Sequence, residues 1–244
     1  MNVEELAEKL VLWIRDEVLA AGCKGVVVGI SGGLDSSVLA VLCHRASPQS
    51  MLGVLMPCYS SQQDKEHALA VSSKFSIPTK VVVLDSVFNA LLKGLPDNKE
   101  DPSITRLAEG NIKARLRMLT LYYFANRFKY IVAGASNRIE LALGYFTKYG
   151  DGGADILPLG SLVKGQVREL AHFLGIPQEI IDKPPSAGLW PGQTDEGELG
   201  LSYEELDRYF TTGEASSQLR QRIESMIATS EHKRLPPRVA SLKA

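Results

Sequence analysis

The sequence predicts an α/β protein built on a doubly wound parallel sheet with helices on both faces. Two observations carry that expectation. Short apolar, β-branched runs have the composition of strands buried on both faces. They alternate with stretches of helical periodicity, as in successive βαβ units.

Val3, Leu6, Leu10, Trp13, Ile14 and Val18 keep helical spacing, so residues 3–21 read as a helix that Gly22 ends. Residues 26–30 (VVVGI) read as the first strand and residues 37–45 as a helix. A second strand over 52–56 leads to a helix over 63–75, and a third strand over 80–84 to a helix over 87–95. A long helix over 104–128 leads to a fourth strand at 130–133. After Gly144 the periodicity fails. One irregular stretch follows, then a helix over 164–174, then a second irregular stretch from Lys183. Tyr145, Phe146, Tyr149, Leu189 and Trp190 argue that these stretches are ordered and functional. Ser202 and Glu205 form a capping box that opens a helix to Phe210, and a last helix covers about 215–227. Residues 1–244 read as a single domain.

Composition narrows the function. The 244 residues are 45% hydrophobic and 23% charged, ordinary for a globular protein with a proper core. A net charge of −1 gives no general electrostatic grip on nucleic acid. The three cysteines form no C-x-x-C pair, so neither a disulfide scaffold nor a structural zinc site is expected, and a reducing cytoplasmic setting fits. The amino terminus does not read as a signal peptide, and no apolar run reaches the roughly 20 residues of a membrane span.

In parallel sheets of this kind ligands gather at the carboxyl ends of the strands. The informative residues follow those ends: 31–36, 57–61, Asp85 and 134–140. The first group is Ser31-Gly32-Gly33-Leu34-Asp35-Ser36. Gly29 to Gly33 also fits G-x-S-x-G, the elbow of a nucleophilic serine. That reading needs a histidine base, and His44, His67, His172 and His232 stand in no recognisable setting. A Walker A loop is excluded because no Lys-Ser or Lys-Thr closes it. The longer motif reads better as a phosphate cradle. Gly32 and Gly33 let backbone N–H groups approach an anion, and the following helix adds its positive end. Ser31, Ser36 and Ser37 add hydroxyls. Asp35 beside phosphates implies a bridging cation such as Mg²⁺. A tight glycine turn without a ligand would explain neither Asp35 nor three serines.

S-G-G-L-D-S resembles the PP-loop of the ATP pyrophosphatases, which cleave ATP between the α- and β-phosphates. Four further stretches resemble the NAD synthetase family within that group: Gly110–Met118 (GNIKARLRM), Gly144–Asp155 (GYFTKYGDGGAD), Pro185–Glu196 (PSAGLWPGQTDE) and Glu231–Arg234 (EHKR). They are spread over nearly the whole chain. The resemblance implies an adenine nucleotide alpha hydrolase-like, Rossmann-like fold. It implies ATP-dependent amidation of nicotinic acid adenine dinucleotide (deamido-NAD) by ammonia, giving NAD, AMP and pyrophosphate through an adenylated carboxylate. Such chemistry asks for charge neutralisation and alignment more than for a protein nucleophile.

By that resemblance Ser31, Gly32, Gly33, Asp35, Ser36, Ser37, Lys164 and Ser186 bind ATP. Asp35 and Glu140 are the magnesium carboxylates. Arg115, Lys148, Asp155, His232 and Lys233 meet deamido-NAD, with Asp155 suited to a ribose hydroxyl. Asp35, Asp151 and Lys164 are the expected catalytic residues, with Asp151 near the ammonia. Lys164 opens a helix, against the dipole, so a bound anion would explain its placement; otherwise it is a solvated lysine. Arg115 and Arg117 lie two apart and cannot share one helix face, so one of them meets ligand and the other is structural. The chain departs from the family's usual pattern at Ala135, where a threonine is common, and at Ser161, where an aspartate is common. The resemblance also implies a homodimer and direct use of ammonia, since the cradle at Ser31 leaves no room before it for a glutaminase domain. A non-catalytic ATP-binding module would need the cradle but not Arg115, Glu140 or the two long loops. An RNA-acting pyrophosphatase would be expected to carry a basic surface.

Overall fold

The computed structural model describes residues 1–96 and 101–240. Among them β1 (Gly25–Gly29), β2 (Met51–Leu55), β3 (Thr79–Val81) and β4 (Tyr130–Ala133) form one parallel sheet in the order β3-β2-β1-β4. Val26 of β1 pairs with Met51 on one side and Ile131 on the other. β3 is shorter than expected. Beyond Val81 the chain still follows β2, with the Val82 N–H donating to the Leu55 carbonyl at 2.8 Å and Leu84 to Pro57 at 2.9 Å. The chain steps outward from β1 to β3, then crosses to β4 on the far side of β1. The crevice between the carboxyl ends of β1 and β4 is therefore the topological switch point.

The strand pattern explains the two layers. Alternate side chains face opposite ways. Val26, Val28 and Ile30 enter one core with α1 (Val3–Ala20), α2 (Leu34–Ala46), α3 (Gln62–Lys74) and α7 (Lys164–Leu174). Val27, Leu52, Val54 and Val132 enter the other, beneath α4 (Asp85–Gly94) and α5 (Pro102–Phe128). Each fully buried valine contributes about 1.5–3 kcal/mol. α2 is apolar nearly all round because it is wedged between the sheet and both α1 and α7. It begins three residues earlier than the periodicity predicts, so Asp35 and Ser36 lie in its first turn.

The remaining helices are α6 (Arg138–Leu143), α8 (Gln178–Ile181), α9 (Asp195–Leu199), α10 (Tyr203–Thr212), α11 (Ser217–Thr229) and α12 (Glu231–Arg234). A third apolar cluster, including Ile139, Leu143, Val163, Leu206 and Ile223, joins α6, α10 and α11. It anchors both irregular stretches at the carboxyl edge of the sheet. α6, α8, α9 and α12 are too short to show helical periodicity and were not expected from it.

Candidate active site

The cradle is the turn from β1 into α2. Gly32 has φ +83°, and a Cβ there would collide with the Asp64 carbonyl of α3, so only glycine fits this backbone approach. Gly33 caps α2 without a side chain, leaving the helix's N-terminal face open. The Ser31 and Ser36 hydroxyls lie 2.9 Å apart, and the Gly33 N–H donates to Ser31 Oγ at 3.3 Å. No histidine is a hydrogen-bond partner of Ser31, so the nucleophile-elbow reading finds no base. Ser37 is fully buried and donates to the Gly33 carbonyl at 2.7 Å. Its hydroxyl therefore braces the turn from inside, while Ser31 is exposed.

Three charged side chains meet beside the cradle. Lys164, 2% exposed, forms an ion pair with Asp35 and lies 3.8 Å from Glu140 Oε1. Lys164 is therefore not a solvated lysine, and the chain's own carboxylates account for its placement without a bound anion. The open N–H groups of α7 are met separately, by Asp207, which accepts from Lys164 N at 3.0 Å and Gly165 N at 2.6 Å. Glu140 is fixed by local sequence. Asn137 caps α6 by accepting from Ile139 and Glu140 N–H, and Glu140 returns a carboxylate oxygen to the Asn137 N–H at 3.1 Å. The Asn137 amide also donates to Asp35 at 3.3 Å, joining the ends of β1 and β4.

Burial, then the neighbouring Asp35, push the Glu140 carboxyl up to about 8, with Lys164 opposing. For Lys164 burial disfavours the ammonium, but Asp35 and then Glu140 outweigh it and raise its pKa above the ordinary lysine value. Two carboxylates share one ammonium in a poorly solvated place, and Glu140 takes up a proton to balance it, a position that a bound cation could fill.

The second side of the site is built from loops. Residues 144–155 are attached to α5 by the Thr147 hydroxyl, which donates to Asn111 at 2.7 Å. Asp151 accepts the Thr147 N–H at 2.9 Å. Gly152 leaves no room for a Cβ against the Phe146 ring. Arg115 is exposed, with one long bond to the Lys148 carbonyl at 3.4 Å. Arg117 instead points to the end of β2, donating to Met56 O at 3.3 Å and Ser60 Oγ at 3.4 Å. Arg117 is thus tied within the protein, while Arg115 is left nearly free. α12 is stapled to the same loop. Lys233 donates to the Gly144 and Phe146 carbonyls at 2.8 and 3.0 Å, and Lys148 donates to the His232 carbonyl. Asp155 turns its oxygens to the β4 edge, accepting from Val132 N at 2.8 Å and Tyr122 Oη at 2.9 Å. It remains exposed, with acceptor capacity left on both oxygens. Ser186 is exposed in the other loop, where it donates to the Gln193 carbonyl at 2.7 Å.

Three participants were not assigned from sequence. Asp195 is 4% exposed and accepts from two tyrosines near Lys164. Asn137 could have been found from its N-x-x-E capping box with Glu140. Lys183 forms an ion pair with Asp64 and fastens the second loop to the start of α3. Only tertiary structure makes that pair visible.

The NAD synthase family model matches residues 6–237. The chain belongs to the NAD synthase family. The NH3-dependent NAD⁺ synthetase of Carboxydothermus hydrogenoformans is 48% identical over 242 residues, covering 99% of each chain. That of Syntrophomonas wolfei is 46% identical, covering 99% of this chain and 98% of the relative. Among solved structures, the NMN synthetase of Francisella tularensis superposes with a TM-score of 0.91 at 36% identity, covering 99% of this chain and 100% of that one. The NH3-dependent NAD synthetase of Campylobacter jejuni superposes at 0.81 with 28% identity and the same coverage. The motif-based expectation of a synthetase on a parallel α/β sheet is borne out, and the chain is a ligase of this family.

Proposed function

We propose that the chain joins ammonia to the nicotinate carboxylate of deamido-NAD, using ATP. The observation that carries this is the convergence of Asp35, Glu140 and Lys164 beside an open glycine cradle at the switch point. A carboxylate oxygen attacks the α-phosphorus of ATP, the bond to the β-phosphate breaks, and pyrophosphate leaves. Ammonia then attacks the acyl carbon and loses a proton, the carbon–oxygen bond breaks, and AMP leaves.

The cradle's N–H groups, the Ser31 and Ser36 hydroxyls and the start of α2 receive the phosphates. Lys164 carries positive charge toward the departing pyrophosphate, a role for which its raised pKa keeps it protonated. Ser186 adds a hydroxyl from the facing loop. Asp35 and Glu140 fit Mg²⁺, since both are oxygen donors turned on a cation, the Lys164 ammonium. When bound, Mg²⁺ would neutralise phosphate charge there. Arg115, exposed and nearly free, faces the acceptor carboxylate, with Lys148, His232 and Lys233 shaping the same side. Asp151 lies next to Lys233 and receives the ammonia proton. The family match across residues 6–237 supports one synthetase unit. The names of the relatives support ammonia as the nitrogen source.

A homodimer is supported by α5, which buries only Gly110, Ala114 and Ala125 of its 27 residues. Ile104, Leu107, Leu119 and Tyr123 along it are more than half exposed. Sedimentation of a lone 26.6 kDa species with full activity would contradict the dimer.

The superposition on an NMN synthetase favours a second reading, in which the acceptor is the mononucleotide. Purified protein with ATP, Mg²⁺ and ammonium separates the two. The first reading predicts higher kcat/KM with deamido-NAD, the second with nicotinic acid mononucleotide. Formation of no amide, AMP or pyrophosphate with either acceptor removes both.

A further inference from the structure

We infer that Asp195 is a positioning residue that couples the acceptor loop to the lysine on the phosphate side; the inference rests on the amidation reading above. Asp195 opens α9 behind its Thr194 cap and is 4% exposed. A buried carboxylate persists only where partners satisfy it. Its partners come from three different segments. Oδ2 accepts from the Tyr203 hydroxyl of α10 at 2.9 Å. Oδ1 lies 3.2 Å from the Tyr145 hydroxyl, whose one proton is shared between Asp195 and Glu198. Its N–H donates to the Pro185 carbonyl at 3.0 Å, closing the loop that carries Ser186.

Each tyrosine reaches a different half of the site. The Tyr203 ring lies beneath Lys164, whose Nζ is 4.9 Å from the ring centroid. A hydroxyl donating to a carboxylate makes its ring more electron-rich, which strengthens the hold on the ammonium. Tyr145 begins the loop of Lys148 and Asp151, and its hydroxyl also meets Glu198 at 2.5 Å. Glu198 is held in turn by the Gln193 amide at 2.8 Å. Asp195 makes neither an ion pair with Lys164 nor a bond to the cradle. It acts on Lys164 by its nearby charge and through the Tyr203 ring, and on the start of the acceptor loop through Tyr145, fixing the two relative to each other.

The test is steady-state kinetics on the full chain with ATP, Mg²⁺, ammonium and deamido-NAD, with wild type measured first. A wild type that forms no NAD overturns the amidation reading itself. With an active wild type, Tyr145→Phe raises KM for the dinucleotide about tenfold, as for loss of one bond to a carboxylate, and leaves KM for ATP within about twofold. Tyr203→Phe lowers kcat about tenfold and leaves KM for the dinucleotide unchanged. Asp195→Asn shows both effects, and adding Tyr145→Phe to it raises KM by less than Tyr145→Phe does in the wild type, because only the Glu198 bond is left to lose. A purely structural Asp195 would lower the melting temperature and the active fraction without this split. Wild-type KM for Tyr145→Phe, or effects of Tyr145→Phe and Asp195→Asn that multiply, overturn the inference. If Asp195→Asn shows no native circular dichroism, the opposite signatures of the two tyrosine variants decide it.

Discussion

The phosphate side and the acceptor side of the site are built by different means. The phosphate side hangs on strand ends and first helical turns: Ser31 to Ser36 after β1, Glu140 after β4, Lys164 at the start of α7. Its charged atoms are nearly enclosed, and Lys164 is 2% exposed. The acceptor side is a loop between α6 and α7, held down by α5 and α12 through side chain-to-carbonyl bonds, with Arg115 exposed. On the proposed reading the buried side aligns the phosphates. The loop side on that reading receives the large acceptor, and it lies beside the exposed apolar residues of α5.

The contrast can be broken by substitution. Asp35→Asn should have the largest effect, lowering kcat/KM by about 10²–10³-fold, the scale for losing one preorganised electrostatic contact. Unchanged turnover would remove Asp35 from the phosphate and metal roles. Lys164→Met leaves Asp35 and Glu140 facing each other without their shared cation. It should destabilise the ligand-free protein by about 3 kcal/mol in urea titration at pH 7. An unshifted midpoint would show that the ion pair contributes little.

The two arginines sharpen the comparison. Arg115→Ala should raise KM for the acceptor about tenfold with stability changed by less than about 0.5 kcal/mol. Arg117→Ala should instead lower the melting temperature, because it unties the end of β2 from α5. Interchanged outcomes would reverse the assignment.

The smallest effect is a pH slope. Glu140 ordinarily titrates near 4.5 and in the fold near 8, so the native state binds the extra proton between those values. Its stabilising contribution is complete below about 4.5 and is lost as pH rises toward 8. The melting temperature of ligand-free wild type should fall across that window more steeply than that of Glu140→Gln. Parallel curves would show that Glu140 is not buried as described.

This division also explains what could be read from sequence. β1, β2, β4 and the long helices announce themselves by period and β-branching, so the cradle and its strand context were legible within a residue or so. Asp35 signalled a cation because a carboxylate among phosphate donors is otherwise unfavourable. Glu140 and the acceptor residues came only through resemblance, since an isolated loop aspartate has no distinctive period; Lys164 had in addition only its unfavourable place at a helix start. Asp195 stayed hidden because its importance lies in Tyr145 and Tyr203, fifty residues before it and eight after it. Ser37 was read as a ligand contact from motif position alone, and its buried hydroxyl turns inward to the Gly33 carbonyl.

The most direct test is product analysis of the purified protein with ATP, Mg²⁺, ammonium and deamido-NAD. The account predicts NAD, AMP and pyrophosphate in equal amounts. Release of ADP and phosphate, or ATP consumption without amide formation, would contradict it.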